Sequence, residues 1–236
     1  MSWKGNLISC GTNAKTIKGD GDELLTAIMY LTPWKSHGAN LCPSAELAGC
    51  IEGCLFSAGR GQMSSVQQGR ARKTEWYAKD RKGFMLQLYL DVSRFVKYCK
   101  DRNIKPCIRL NGTSDIRWEY IPVGKHKNIM EAFKMVQFYD YTKIANRRDI
   151  PDNYHLTWSY SNANEKYAGM MGKAVANGMN VAVVFRSKAN IPASFKGLPT
   201  IDGDRDDLRF LDDKGVAVAL YAKGKAKKDT SGFVID

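Results

Sequence analysis

The sequence has no apolar run long enough to cross a bilayer, no low-complexity tract and no signal-peptide pattern. These absences favour an intracellular, soluble protein that has no membrane partner. Histidine is scarce, with 3 residues that form no triad with an acid and a nucleophile. No G-x-G-x-x-G follows the first predicted strand, so a dinucleotide-binding fold has no specific support.

Positive charge is in excess, since 36 Lys and Arg residues against 24 Asp and Glu give a net charge of +12. A basic surface favours an anionic partner, either nucleic acid or an anionic small molecule; a merely solvated basic face is the alternative. The densest basic stretches are 70–73, 147–148 and 223–228. None of them has zinc-finger spacing, a basic zipper or an aromatic RNA-binding signature. The sequence does not specify an oligomeric state.

Half of the 6 cysteines lie close together, as Cys42, Cys50 and Cys54 in a C-x7-C-x3-C spacing. Thiolates are ligands of zinc and of iron–sulfur clusters, and a loop with several glycines can fold back to bring them together. The alternative is that each cysteine is a small buried hydrophobic residue. Their grouping in the loop-like segment 34–61 favours a metal centre over packing, and disulfides are not expected in an intracellular chain of this size.

The spacing leaves the identity of the metal open. A closed structural zinc site takes four protein ligands. A 4Fe-4S cluster that is held by three thiolates leaves one iron open to a small molecule or to a more distant ligand. The chain offers six candidates for a fourth ligand, of which His37 is the nearest in sequence: Cys10, Cys99, Cys107, His37, His126 and His155.

Apolar strands and helical patterns alternate along the chain. A helix is predicted over 84–99, where apolar residues recur at helical spacing and place Cys99 in the core. This alternation predicts a single α/β domain over 1–236, with β/α repeats at 104–224, and a partial or open β/α (TIM-like) barrel of mostly parallel strands; a flat doubly wound sheet is the alternative. The predicted strands are 23–32, 105–111, 138–142, 155–161, 180–186 and 215–222, and the other predicted helices are 64–80, 128–136, 143–147 and 164–177.

Polar residues follow several of the predicted strands. Parallel β/α folds bind ligands at the carboxyl ends of their strands. Arg109 lies inside an apolar strand, where a charge costs free energy unless it is paired or binds a ligand. The alternative to ligand binding is a structural ion pair with Asp115 or Asp140. We therefore predict ligand- or cofactor-binding roles for Arg109, Asn111, Asp115, Asp140, Lys143, Ser159, Asn162 and Arg186.

Two charged segments lack the residue order of a known site. Residues 201–207 are similar to a calcium loop, but Asp207 stands where glycine is required and no glutamate occupies the twelfth position. We expect a polar loop at the barrel rim instead. Residues 225–236 are predicted to be a basic, flexible tail that has no P-loop pattern.

Several of these motifs together resemble a known family. Five features are similar to the bacteriophage "gene product eighty-eight" domain: Trp34-Lys35 with NLCPSA at 40–45, the cysteine spacing, RLNGTSD at 109–115, YDYTK at 139–143 and the basic stretch 223–234. The similarity covers most of the chain. It implies a viral protein located in the host cytoplasm, and it implies no particular reaction.

The cysteine loop also resembles, more weakly, that of radical S-adenosylmethionine enzymes, which carry three cysteines after an early strand of a partial barrel. This resemblance implies that Cys42, Cys50 and Cys54 hold a 4Fe-4S cluster and that S-adenosylmethionine binds at the open iron. Arg109, Asn111, Asp115, Ser159 and Asn162 would line the cofactor side. The spacing differs, since the radical enzymes have C-x3-C-x2-C. The residue before the last cysteine also differs, because it is Gly53 here and usually an aromatic residue in those enzymes. The resemblance therefore supports a cluster and an architecture more than a chemistry.

Two functional hypotheses follow. The first is an iron–sulfur protein on a partial barrel, in which the protein positions cofactor and substrate and the cofactor performs the chemistry. The second is a basic, nucleic-acid-associated phage protein in which a zinc ion folds the loop and the charge of +12 binds the nucleic acid.

Overall fold

A ten-stranded sheet is the centre of the fold in the computed structural model of this protein, which describes residues 1–11, 17–18, 23–54, 56 and 59–236. The strand order is β1-β2-β5-β6-β7-β8-β11-β10-β9, with β12 beside β8, and β3 and β4 form a separate hairpin. The strands are β1 (Ile8–Ser9), β2 (Leu24–Met29), β3 (Lys35–Ser36), β4 (Ala39–Asn40), β5 (Lys105–Arg109), β6 (Gln137–Thr142), β7 (Tyr154–Ser159), β8 (Asn180–Phe185), β9 (Ser194–Phe195), β10 (Leu198–Asp202), β11 (Ala217–Tyr221) and β12 (Val234–Ile235).

Parallel pairing runs through the whole middle of this sheet. Every neighbouring pair from β2 to β10 is parallel, and only the outer pairs β1–β2 and β9–β10 are antiparallel. Ile108, in the middle, lies opposite Ala27 on one side and Phe138 on the other. The predicted α/β class with mostly parallel strands is confirmed. Because the strands are parallel, the residues that follow β2, β5, β6, β7, β8 and β11 all emerge at one edge of the sheet.

Two long helices, α1 (Ser64–Lys79) and α2 (Arg81–Lys100), connect β2 to β5. The apolar stripe of α2 packs into the core as predicted, with Cys99 0% exposed and with Tyr89 and Val96 partly buried. Asp80 separates the two helices, and its carboxylate accepts the backbone N–H of Gly83 at 2.8 Å. Met63 occupies the N-cap position of α1, and no side chain caps this helix. No helix in the described ranges is both long and apolar enough to cross a bilayer.

The shorter helices differ from their predictions. Helix α3 (Ile129–Ala132) covers less than half of 128–136, and the pattern at 164–177 is divided into α4 (Glu165–Ala168) and α5 (Met171–Ala176). The helix predicted at 143–147 is absent from these described residues. There the backbone N–H of Lys143 is donated to the Asp115 carboxylate and that of Ile144 to the Thr142 hydroxyl. The first of these bonds ties the end of β6 to the segment that follows β5.

The sheet is covered differently on its two faces. One face packs against the helices, and residues 203–213 cover part of the other. On that second face the ring of Phe210 lies 5.1 Å from the ring of Tyr139, beside the buried side chains of Cys107 and Leu208. The strand β10 leads into this segment, and the prediction of a simple polar loop from residue 201 therefore missed a strand.

The C-terminal residues do not form the predicted flexible tail. Residues Gly224–Lys228 form a short 3-10 helix, and β12 pairs with β8 in parallel register. The carboxylate of Asp229 accepts the backbone N–H of Val234 at 3.1 Å. This segment is part of the sheet because Val234 is apolar and buries its side chain.

The pH dependence of stability should reveal the environment of His155 on β7. Burial, together with the positive charges of Arg209 and Lys214, lowers the pKa of His155 to about 4. The unfolded chain therefore binds a proton between about pH 6.5 and pH 4 that the folded chain does not bind. We expect the free energy of unfolding to fall by about 1–3 kcal/mol on acidification across that window. Urea titrations at pH 7.0 and 4.5 should show a smaller loss for His155→Gln than for the wild type; equal losses would contradict this assignment.

Candidate metal centre

Residues 41–54 lie across the carboxyl edge of the parallel sheet. The carbonyl of Leu41 accepts the backbone N–H of Asp115 at 2.7 Å, after β5. The carbonyl of Ala48 accepts the hydroxyl of Ser161 at 2.7 Å, after β7. The carbonyl of Gly49 accepts the hydroxyl of Ser231 at 2.8 Å, in the C-terminal segment. Three distant parts of the chain thus fix the cysteine loop above the ends of the central strands.

Gly49 is required for this docking. Its φ is +61°, a left-handed conformation that non-glycine residues adopt with strain. A Cβ atom at this position would also lie 2.6 Å from the Cβ of Ala163 and 2.8 Å from the hydroxyl of Ser231. The glycine therefore allows the loop to approach the segment after β7.

The three cysteines of the loop are half-buried, between core and surface. The Cys42 thiol lies 3.7 Å from the carbonyl of Thr113, and the Cys50 thiol lies 3.8 Å from the carbonyl of Ala45. The sulfur of Cys54 accepts the backbone N–H of Phe56 at 3.5 Å. Cys42 and Cys50 are unpaired thiols. Residues 55, 57 and 58 of the predicted cluster loop lie outside the described residues.

The pKa values of Cys42 and Cys54 are affected by the neighbouring cysteines. Burial raises the pKa of Cys42 to about 12, and the neighbouring groups Asp115, Cys54 and Cys50 add to that rise. Burial also raises the pKa of Cys54, again with a contribution from Cys50. Such charge interactions act over short distances, so the three sulfurs lie in one region of the molecule.

Two cations face the thiols. Lys143 and Arg70 both lower the pKa of Cys54, against the effect of burial. The ammonium group of Lys143 lies 4.5 Å from the centre of the Phe233 ring and 3.0 Å from the hydroxyl of Ser159. The guanidinium of Arg70 donates to the carbonyl of Phe56 at 3.1 Å. The sulfur-rich region is therefore bordered by positive charge.

Among the residues that the structure describes, the candidates for a fourth ligand do not join the three thiols in a preformed metal site. Cys10, Cys99 and Cys107 are all buried in the cores, with 3% exposure at most. His37 lies in the turn between β3 and β4, at a φ of +49°. In the described part of the chain, no group of three or more His, Cys, Asp and Glu side chains is already arranged to hold a metal ion. The three thiols are neighbours, and binding would require them to close together.

A buried ion-pair network lies below this edge. Arg109 pairs with Asp207, 98 residues away in sequence, and its Nε lies 3.8 Å from a carboxylate oxygen of Asp140. Asp140 also accepts the backbone N–H groups of Leu110 and Asn111. The prediction of Asp140 as a partner of Arg109 is confirmed, whereas Asp207 was not predicted. These contacts match the ion-pair alternative for Arg109.

Asp115 belongs to a second part of the network and does not pair with Arg109. Its carboxylate accepts the hydroxyl of Thr142 at 2.7 Å and lies 3.5 Å from Nη1 of Arg147. Arg147 also pairs with Glu119 through two guanidinium nitrogens, and both side chains are 0% exposed. Burial raises the pKa of Asp115, and the charge of Arg147 opposes that rise.

Comparison with known proteins identifies the family of this chain. The family model of Gene product 88 matches residues 7–236, which is nearly the whole sequence. The chain belongs to the Gene product 88 family. This confirms the stronger resemblance that was drawn from the sequence motifs, whereas no comparison supports the resemblance to radical S-adenosylmethionine enzymes. No curated protein and no solved structure matches the chain.

In this member of the Gene product 88 family, the other predicted site residues lie in three places. Lys143 and Ser159 lie beside the cysteine loop, as described above. Asn162 lies near them, where its side-chain oxygen accepts the hydroxyl of Tyr160 at 3.3 Å. Arg186 is elsewhere, because it pairs with Asp236 at 2.7 Å and donates to the carbonyl of Asp229. Asn111 is buried, and its amide contacts the carbonyl of Ile116 at 2.9 Å.

The sequence reasoning missed two aromatic residues of this Gene product 88 site. Tyr167 donates its hydroxyl to the carbonyl of Ser159 at 2.7 Å, and its ring lies 5.9 Å from the Lys143 ammonium group. Phe233 lies on another side of the same ammonium group. Tyr167 lies in the predicted helix 164–177, and Phe233 lies in the segment that was predicted to be a flexible tail. No local pattern relates either residue to Lys143.

Proposed function

We propose that this Gene product 88 protein binds a 4Fe-4S cluster through Cys42, Cys50 and Cys54. The observation that carries the proposal is the position of three half-buried, mutually interacting thiols at the carboxyl edge of a parallel sheet. That edge is where parallel α/β folds bind their ligands. Thiolates are the ligands that iron–sulfur clusters require.

Three protein thiolates leave one iron of such a cluster open, and the bound cluster would supply redox or Lewis-acid chemistry there. The open position would accept a small molecule, and S-adenosylmethionine is the candidate that the weaker sequence resemblance suggests. The surrounding sheet is proposed to be an open β/α barrel, and the protein to act in the host cytoplasm. The protein's own residues hold and orient the ligand.

The charges around the thiols support an anionic occupant. Three thiolates and an oxidised 4Fe-4S core carry net negative charge, which Lys143 and Arg70 would offset. Because burial raises the pKa values of Cys42 and Cys54, these thiols are protonated at neutral pH until a metal displaces their protons. Cluster assembly should therefore release protons and become weaker at low pH.

The wild-type chain, purified or reconstituted without oxygen, should be brown and should contain about four iron and four sulfide ions per chain, as expected for a cubane cluster. Reduction should produce an electron paramagnetic resonance spectrum of a reduced 4Fe-4S centre. Colourless protein with one zinc ion per chain would refute the proposal. In that case DNA binding that weakens steeply with added salt would favour a nucleic-acid-associated protein that has a structural zinc site.

A further inference from the structure

A cavity of about 420 Å³ lies beside the cysteine loop, on the side of the β3–β4 hairpin and the α1–α2 junction. This volume falls within the range of about 300–1,000 Å³ that is typical of small-molecule sites. Leu41 and Pro43, the two neighbours of Cys42, form part of its wall. Tyr77, Ile116 and Ile144 supply further apolar surface. The cavity can therefore accommodate an apolar or aromatic group.

Two arginines, Arg81 and Arg117, bring positive charge to this cavity. The guanidinium of Arg81 lies over the ring of Tyr77, 4.6 Å from its centre, which limits its freedom. Nη2 of Arg117 lies 3.5 Å from the side-chain oxygen of Asn146, at the limit of a hydrogen bond. Within the part of the chain that the structure describes, neither guanidinium has a carboxylate partner within 4.0 Å.

One acid, Asp115, also lines the cavity. Its carboxylate is 3.5 Å from Nη1 of Arg147 and accepts the backbone N–H of Lys143 at 2.8 Å. The negative charge of Asp115 is thus balanced inside the protein by Arg147. The two exposed guanidinium groups of Arg81 and Arg117 remain available to a ligand. The net charge that a ligand would meet here is positive.

We propose that this cavity binds a phosphate monoester of a small aromatic or nucleoside body, with the phosphate between Arg81 and Arg117. A phosphate monoester carries a charge of about −1.5 to −2 at pH 7. This charge balances two guanidinium groups better than the single negative charge of a carboxylate ligand would. Each guanidinium can donate two parallel hydrogen bonds to phosphate oxygens. The organic body packs against Leu41, Ile116 and Ile144. This site does not depend on the cluster.

Three probes test the proposal by titration calorimetry on the full chain: adenosine monophosphate, adenosine and inorganic phosphate. Adenosine lacks the anion, and inorganic phosphate lacks the apolar body. We expect adenosine monophosphate to bind at least about tenfold more tightly than either of the other probes. Its phosphate contacts the two arginines and its adenosine body contacts the apolar wall. Its affinity should fall as salt is added.

Substitutions of the two arginines test whether adenosine monophosphate binds in this cavity. Arg81→Gln and Arg117→Gln should each weaken adenosine monophosphate binding about tenfold to a hundredfold, which is the usual effect of losing a charged hydrogen-bond donor. Arg94→Gln is the matched control, because Arg94 is an exposed arginine of α2 outside the cavity. Arg81→Lys keeps the charge and the fold but loses the two-pronged donor, and should lie between the wild type and Arg81→Gln.

The proposal fails if adenosine monophosphate binds no better than adenosine, or if both arginine variants bind it as Arg94→Gln does. An undetectable titration at millimolar concentration also refutes it. The iron content of the same variants separates this result from the cluster proposal. Arg81 and Arg117 contact none of the three cysteines in the described structure, so their replacement should leave iron binding unchanged.

Discussion

Replacing any one of Cys42, Cys50 and Cys54 by alanine should lower the iron content of anaerobically reconstituted protein by more than about tenfold. Loss of groups that merely orient a metal ligand already costs about 10–100-fold in metal affinity, and loss of the ligand itself costs at least as much. Each thiol would contribute one of only three protein bonds to the cluster. Iron and sulfide analysis, with the visible absorption spectrum, measures the effect directly.

Cys99→Ala is the matched control for these variants. Cys99 is 0% exposed on the buried stripe of α2, away from the loop. Its replacement should cost only about 1–2 kcal/mol of stability, from the small cavity that it leaves, and should keep the full iron content. Full iron in any of the three loop variants would show that the ligand assignment is wrong. Loss of iron from Cys99→Ala to the same extent would show that cluster retention reports only stability.

The second large effect concerns Arg147, whose replacement by methionine should destabilise the protein by about 3–5 kcal/mol. Removing one partner of a buried ion pair leaves the other charge without compensation. Here two carboxylates lose their cation, since Arg147 pairs with Glu119 and lies 3.5 Å from Asp115. Urea unfolding monitored by circular dichroism at pH 7 measures the change in the free energy of unfolding.

The neighbouring residue provides the control. Arg148 is exposed, so Arg148→Met should change the free energy of unfolding by no more than about 0.5 kcal/mol. The double variant Glu119→Gln/Arg147→Met should lose less than the sum of its single variants, because the uncompensated charge of Glu119 is removed. Equal effects of Arg147→Met and Arg148→Met would contradict the network described here.

The helix α2 and the class of the fold could be predicted from the sequence for a local reason. Phe84, Leu88, Val92, Phe95 and Cys99 recur at the spacing of one helix face, and burial of that face satisfies the pattern wherever the helix packs. The short apolar runs separated by helical segments likewise imply parallel strands whatever their order. These properties depend on residues that are near one another in the chain.

The boundaries of the shorter helices depended on distant groups. Residues 143–147 have acceptable helix formers, yet Asp115, 28 residues earlier, accepts the backbone N–H of Lys143. Likewise the charge of residues 225–236 predicted a flexible tail, whereas Val234 pairs with Val184 of β8. In both cases the segment makes a contact with a distant part of the chain, and no short window of sequence contains both partners.

The sequence by itself determined the chemistry that is available: three thiols in a short loop, an excess of positive charge, an α/β pattern and membership of the Gene product 88 family. Only the tertiary structure decided which charges neutralise one another. Arg109 pairs with Asp207 across 98 residues, and Lys143 contacts Phe233 of the C-terminal segment. Residue types and local periodicity can be read directly from the sequence. The partner of a buried charge instead depends on which groups lie close together after the strands have assembled.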